Sequence, residues 1–286
     1  MRIAIVGAHG QLGTALQASL AGQDVVALGH SDIEITDSQS IAAALDHLAA
    51  ECTINAAAYN FVDKAEDEPD AAYAVNAAGP RNLAVSCRRA NIALVHVSSD
   101  YVFGADADRR TPYRETDAPG PLGAYARSKL AGEEFVRAEC PRHFIVRTCG
   151  LYGHAASAGK GNFVKTMVKL ASQRRELTIV NDQRCTPSSA IDVAAAIARL
   201  IETDAYGLYH ATNAGDATWY EFAREIFRIT KQSVEVRPIS SDDYPQKAQR
   251  PSYSVLDCGK LIAAIGRPLP TWQDALEQYL GNSGRD

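Results

Sequence analysis

The sequence predicts an α/β fold: a doubly wound parallel sheet carrying a smaller, mixed α/β lobe. Three observations support this. Short, β-branched, nearly continuous apolar runs alternate with helix-forming stretches over the first 150 residues. The first of these runs passes directly into a glycine-rich turn, and beyond residue 150 the alternation loosens. Runs that are apolar at nearly every position suit strands covered on both faces, and strand–helix alternation of this length is the pattern of a parallel sheet.

The elements follow in order. "RIAIV" (2–6), "DVVAL" (24–28), "CTINA" (52–56), "IALVHVS" (92–98) and "HFIVRT" (143–148) read as buried strands. Helical stretches lie between them at 11–21, 38–49, across 68–90, and at 124–139. A glycine- and alanine-rich loop (153–162) then precedes a helix (163–172), a strand "LTIV" (177–180) and a helix (191–201). "GLYHA" (207–211) returns as a last strand of the main sheet, and 237–257 shows no regular period. The division expected is 1–150 with 188–212 as a dinucleotide-binding unit, and 151–187 with 213–286 as the lobe.

Composition narrows the function classes. At 286 residues, 46% hydrophobic and 22% charged, the chain can bury a substantial core. A net charge of −5 argues against a phosphate-tracking nucleic-acid binder. No apolar run reaches bilayer length, and "MRIAIVGAHG" lacks a signal peptide's apolar stretch, so no membrane role and a cytoplasmic location are expected. Six cysteines are scattered with no close pair, unlike a zinc site or a disulfide framework.

"VGAHGQLG" places Gly7, Gly10 and Gly13 after the first strand and at a helix start, with Gln11 and Leu12 between the last two. Such a turn lets backbone approach a pyrophosphate at a helix N-terminus, which makes the sheet Rossmann-like. The spacing is one residue longer than the common dinucleotide fingerprint. After the second strand, "LGHSD" offers His30 and Ser31 where an NAD-specific site carries an acid, so NADPH is expected, with NADH also accepted. Glu34 and Ile35 could flank an adenine; alternatively, Glu34 is solvated and Asp37 caps the next helix. "INAAAYN" (54–60) brings Ala57, Ala58 and Tyr59 to the same strand edge, where small residues suit either a ribose or sheet–helix packing.

"HVSSDYVFG" (96–104) leaves its strand with Ser99 and Asp100, a hydroxyl for a carbonyl and a carboxylate for a sugar hydroxyl or base edge. "YARSK" sets Tyr125 and Lys129 four residues apart, on one face of a helix. A phenol with an ordinary pKa near ~10 is a reluctant acid at neutral pH. A neighbouring ammonium and a nicotinamide's positive charge would bring its proton into range.

In this order the motifs resemble the extended short-chain dehydrogenase/reductase superfamily. "NAAAYNFVDKAEDEP", "SSDYVFGA", "TPYRETDAPGPLGAYARSKLAGE", "NDQRCTPS" and "QRPSYSVLD" narrow the resemblance to the dTDP-4-dehydrorhamnose reductase family, from residue 1 to about 280. The resemblance implies reduction of the C4 ketone of dTDP-4-dehydro-L-rhamnose by a nicotinamide coenzyme. Tyr125 would donate the proton, Lys129 would tune it and hold the ribose, and Ser99 would orient the carbonyl. Arg250 would face the pyrophosphate, with Asn162, Phe163, Lys165 and Gln183 on the sugar-nucleotide side.

Three departures stand out. Gly150 sits where some members place an aromatic on the sugar, leaving Leu151 or Tyr152 to substitute or the sugar held more loosely. Ala15 and Ile191 replace the acids of members that form a magnesium-linked dimer, so a monomer or a metal-independent homodimer is expected. Cys149 occupies a position where a small hydroxyl or alanine is common, and packing is the expected role. Tyr101 follows Asp100 where related dehydratases carry a second acid, which disfavours elimination. A reductase giving the other C4 epimer, and a non-catalytic subunit resembling that of methionine adenosyltransferase, are the alternatives.

Overall fold

The computed structural model describes residues 1–155 and 161–282, so part of the loop read at 153–162 lies outside the described residues. Six parallel strands form the main sheet: β1 (Arg2–Val6), β2 (Asp24–Leu28), β3 (Cys52–Asn55), β4 (Ala93–Ser99), β5 (His143–Thr148) and, last in the chain, β10 (Gly207–His210). Their order is β10-β5-β4-β3-β1-β2, so the chain winds one way from β1 to β2 and the other way from β3 onward. Ligands bind in the crevice such a reversal opens beyond the carboxyl ends of the strands.

Each face is covered. The helices beside the first strands are α1 (Gln11–Ser19) and α2 (Ser38–Leu45). Next come α3 (Pro69–Tyr73), α4 (Gly79–Ala90) and α5 (Ala124–Glu139). Ile3 and Ile5 of β1 pack with Leu12 and Leu16 of α1 and with Val193 and Ile197. The alternate residues Ala4 and Val6 pack with Ile41, Leu83 and Val136 on the opposite face. The two-residue period of a strand puts consecutive apolar residues into two separate cores, which is why these runs are apolar throughout.

The smaller elements follow: β6 (Leu151–Tyr152), α6 (Phe163–Ala171), β7 (Glu176–Val180), β8 (Arg184–Cys185), β9 (Ser188–Ser189) and α7 (Ala190–Leu200). After β10 come β11 (Ala217–Thr218), α8 (Trp219–Thr230), β12 (Glu235–Ile239), α9 (Gly259–Ile265) and α10 (Trp272–Asn282). Tyr152, Val164, Met167, Phe222, Ile226, Trp272 and Leu276 build a third core from α6, α8 and α10.

Two features differ from the sequence reading. The single helix expected across 68–90 is α3 and α4 joined by a π-helical turn, Ala74–Ala78. That turn pushes Asn76 inward, where its amide bonds Tyr59 N (2.9 Å), Tyr59 O (3.0 Å) and Ser128 Oγ (3.0 Å). The Asn76 carbonyl oxygen presses against α5 so closely that a methyl group on Gly132 would collide with it. The second difference is β12, a strand that reaches into the segment read as aperiodic. It pairs in parallel with β7, and its Pro238, which cannot donate to a ladder, sits in a sheet of only two strands.

Between α5 and β5 lies a buried ion pair. Arg147 donates to both carboxylate oxygens of Glu133, at 2.8 and 2.7 Å, with side chains 2% and 0% exposed. The guanidinium lies 4.9 Å from the Phe103 ring and 3.5 Å from His210 Nε2. Burial and the Arg147 charge hold His210 neutral, its pKa lowered to about 3. Removing one partner of such a pair strands the other charge in low dielectric. Glu133→Ala should therefore cost on the order of 3–5 kcal/mol in urea unfolding. Glu235→Ala, at the exposed Arg237 pair, should cost less than about 1 kcal/mol. Equal costs would contradict this account.

Candidate active site

The strand ends open into a cleft of about 470 Å³ between the sheet and the third core. Ser99, Asp100, Tyr125 and Lys129 all line it. Ser99 is the last residue of β4; its Oγ accepts from Tyr101 N (3.2 Å) and donates to Asp100 Oδ1 (3.1 Å). Asp100, 2% exposed, also accepts from Ser254 Oγ (2.6 Å) and Cys149 Sγ (3.0 Å). Burial raises its pKa while these donors pull it back.

Tyr125 and Lys129 stand one turn apart on the buried side of α5, as their spacing predicts. Burial pushes the Tyr125 phenol up to about 12; the Ser99 hydroxyl lowers it and the Asp100 charge raises it. Tyr101 packs edge-on at 5.9 Å. Lys129, 2% exposed, donates to Val97 O at 2.7 Å. Burial lowers its pKa to about 8, against the opposing pull of Glu133. The groups acting on the phenol are thus burial, Ser99 and Asp100, while the ammonium points to a backbone carbonyl.

A dinucleotide fits the other end of the cleft. Gly10, Gln11 and Leu12 line it, and α1 begins at Gly10 with no side-chain cap on its first N–H groups. The hydroxyls of Ser98 and Thr148 belong to residues lining the same space, and they are buried and, among the described residues, without a partner. These are donors and acceptors that a phosphate or a ribose would satisfy. Gly7 has φ +77°, and a Cβ there would lie 2.6 Å from Ala57 N; this turn packs directly on the chain leaving β3.

Other residues singled out in the sequence lie as follows. Ala58, Gly150, Phe163 and Gln183 line the cleft, and Gln183 also donates to Ser241 Oγ (2.8 Å). Ile35 is a core residue packed on Gly79, and Glu34 turns back to accept from Thr36 N and Oγ1, beside an exposed His30. Asp37 caps α2, accepting from Gln39 N. Tyr59 donates to Glu68 (3.0 Å). Asn162 caps α6 and donates to Gln11 Oε1 (2.8 Å), itself a cleft residue, and Lys165 donates to His154 O (2.6 Å). Arg250 is held by Asp63 at 2.9 and 3.1 Å; its neighbour Pro251, not Arg250, lines the cleft. Cys149 is buried, lines the cleft and donates from its thiol to Asp100.

Residues 1–284 match the family model described as RmlD substrate binding domain. The chain is 42% identical to the dTDP-4-dehydrorhamnose reductase of Mycolicibacterium smegmatis, covering 96% of this chain and 84% of that one. It is 39% identical to the dTDP-4-keto-6-deoxy-D-glucose reductase of Streptomyces niveus, over 96% and 94%. The crystal structure of dTDP-4-dehydrorhamnose reductase from Bacillus anthracis in complex with NADP superposes with a TM-score of 0.93 at 37% identity, over 98% and 99%. The chain belongs to the dTDP-4-dehydrorhamnose reductase family.

Cleft residues of this family member that were not singled out from the sequence include Ser98, Thr148, Arg184, Cys185, Trp219 and Ser254. Arg184, Cys185 and Ser254 lie inside strings that carried the resemblance, without a signal of their own. Trp219 follows Thr218 in "TWYE", a capping-box pattern that forms as written: Glu221 N donates to Thr218 Oγ1 (3.1 Å) and Thr218 N to Glu221 Oε2 (2.9 Å).

The lowered Lys129 pKa carries a stability consequence. Between pH 8 and 10.5 the folded chain has released a proton that the unfolded chain still holds, so stability rises with pH across that window. Below pH 8 the full cost of burying the charge is present. Lys129→Met should be more stable than the wild type at pH 7, by on the order of 3 kcal/mol. The difference should shrink between pH 8 and 10.5 in denaturation curves. A pH-independent difference would contradict the assignment.

Proposed function

We propose that this chain uses NADPH to reduce the C4 ketone of dTDP-4-dehydro-L-rhamnose, giving dTDP-L-rhamnose. The observation that carries this reading is the placement of Ser99, Tyr125 and Lys129 on one wall of a cleft whose other end suits a dinucleotide. The coenzyme, when bound, supplies the hydride. Tyr125 gives its proton to the C4 oxygen, and a phenol with a pKa of about 12 is fully protonated at neutral pH. Ser99 turns its hydroxyl from Asp100 to the ketone and fixes its orientation. Lys129 turns from Val97 O to the coenzyme ribose, and its charge supports the phenolate that proton transfer leaves.

The same reading assigns 1–150 with 188–212 to the coenzyme and 151–187 with 213–286 to the sugar nucleotide. The C4 configuration of the product is a separate matter. The Streptomyces niveus relative is named for a different 4-keto-6-deoxy sugar, and a second reading is a related dTDP-4-keto-6-deoxyhexose reductase, one that gives the other C4 epimer. We place the enzyme in the cytoplasm, the compartment that supplies NADPH; among the described residues no helix is long and apolar enough to cross a membrane. Ala15 lies within the α1–α7 packing and Ile191 is 37% exposed at the start of α7, so neither offers a carboxylate for a metal. The assembly proposed is a monomer or a homodimer without a bridging ion.

Incubation of the protein with enzymatically generated ketosugar and NADPH should yield dTDP-L-rhamnose by NMR; the other epimer would select the second reading, and no turnover would defeat both. Tyr125→Phe should still fold and bind NADPH, with kcat down roughly 10²–10⁴-fold. Chelation by EDTA should change neither turnover nor sedimentation. Loss of a dimer on chelation would overturn the metal-free assembly.

A further inference from the structure

We propose that Trp219 is the platform on which the sugar ring of the substrate lies. The inference rests on the reductase reading of the same cleft. Gly150 follows Cys149, whose thiol meets the Asp100 carboxylate beside Ser99, so its backbone borders the reacting wall. Gly150 has φ +52°, and a Cβ there would lie 3.2 Å from Pro187 Cα and 3.6 Å from Trp219 Cη2. The tip of the indole thus stands against the space that a side chain at residue 150 would take, and it lines the same cleft.

Other candidates for an apolar surface fail on position or shape. Tyr152 is 1% exposed, wedged between Phe222 (5.7 Å) and Tyr279 (5.1 Å) in the third core. Leu151 lines the cleft but offers no flat face. Phe163 lines it too, tilted 45° against Trp219 at 4.8 Å, where it backs the indole.

The indole is held in place. Trp219 is the first residue of α8, inside the Thr218–Glu221 capping box, and Arg184 ties Glu221 (3.1 Å) to Asp216. A hexose ring presents C–H groups on its faces, and a 6-deoxy sugar replaces the C6 hydroxyl with a methyl. Burying that surface on a fixed aromatic plane is favourable, whereas a C6 hydroxyl placed there would lose its water without gaining a partner.

The protein has two tryptophans, and Trp272 is 6% exposed in the third core with its Nε1 donating to Asp216 O. Emission that responds to a ligand in the cleft should therefore come from Trp219. Adding dTDP-L-rhamnose should quench wild-type fluorescence, dTDP alone should quench it much less, and Trp219→Phe should abolish the response. Trp219→Ala should raise KM for the ketosugar roughly tenfold or more, as expected for lost apolar contact. Trp219→Phe should fall between, with KM for NADPH unchanged in both as a check on folding. Equal quenching by dTDP would put the base on Trp219 and overturn the proposal, as would an unchanged ketosugar KM in Trp219→Ala. A wild-type protein without ketosugar turnover would defeat the reductase reading, whereas the quenching comparison tests the sugar contact without any chemistry.

Discussion

The buried pair between Glu133 and Arg147 ties α5 to β5 beside the cleft. Glu133 belongs to α5, one turn beyond Lys129, and Arg147 belongs to β5, which runs directly into Thr148, Cys149 and Gly150. The pair therefore fixes the helix that carries the phenol and the ammonium against the strand whose end borders them. The same carboxylate acts a second time: its charge raises the proton affinity of Lys129, against a burial that lowers it to about 8. Two cations share one buried anion, so a single side chain bears on both the geometry of the site and the ionisation of Lys129.

Asp100 plays a comparable part closer to the chemistry. Its donors come from three segments: Ser99 from β4, Cys149 from the turn after β5, and Ser254 from the stretch that crosses from the lobe. A carboxylate this buried needs such partners, and satisfying them pins three chain segments to one point. Ser99 is thereby held in orientation before any ligand arrives, with Tyr125 close enough for the hydroxyl to influence its pKa.

The sheet was legible because each of its strands carries its own signal, an apolar run such as Ile3–Val6 that serves two cores at once. Tyr125 and Lys129 were legible for a related reason, since a four-residue spacing on a helix is local information. The lobe was less legible. β12 hides behind Pro238 and Arg237, because a two-stranded edge tolerates residues that a central strand would not. Ile35 was read toward the adenine; its packing on Gly79, where the missing side chain leaves it a socket, had no local signal. Asn162 and Arg250 were read as ligand contacts from the family resemblance; the sequence did not show that their side chains also meet Gln11 and Asp63, 151 and 187 residues away in the chain. Trp219 reaches the cleft only through the placement of α8, which no local pattern specifies.

The contact between Gly132 and the Asn76 carbonyl bears on how freely this sequence can drift. Along α5, Glu134 and Arg137 are exposed and can be exchanged with little effect on packing. Gly132 has no such latitude, since any side chain would wedge the helix away from the π-helical turn. That wedge would act between Lys129 and Glu133, the pair on which the site's charge balance rests. Position 132 is thus closed to mutation for a reason of function as well as of fold, and a lineage that lost its glycine would have to rebuild the turn around Asn76 before it could regain the enzyme.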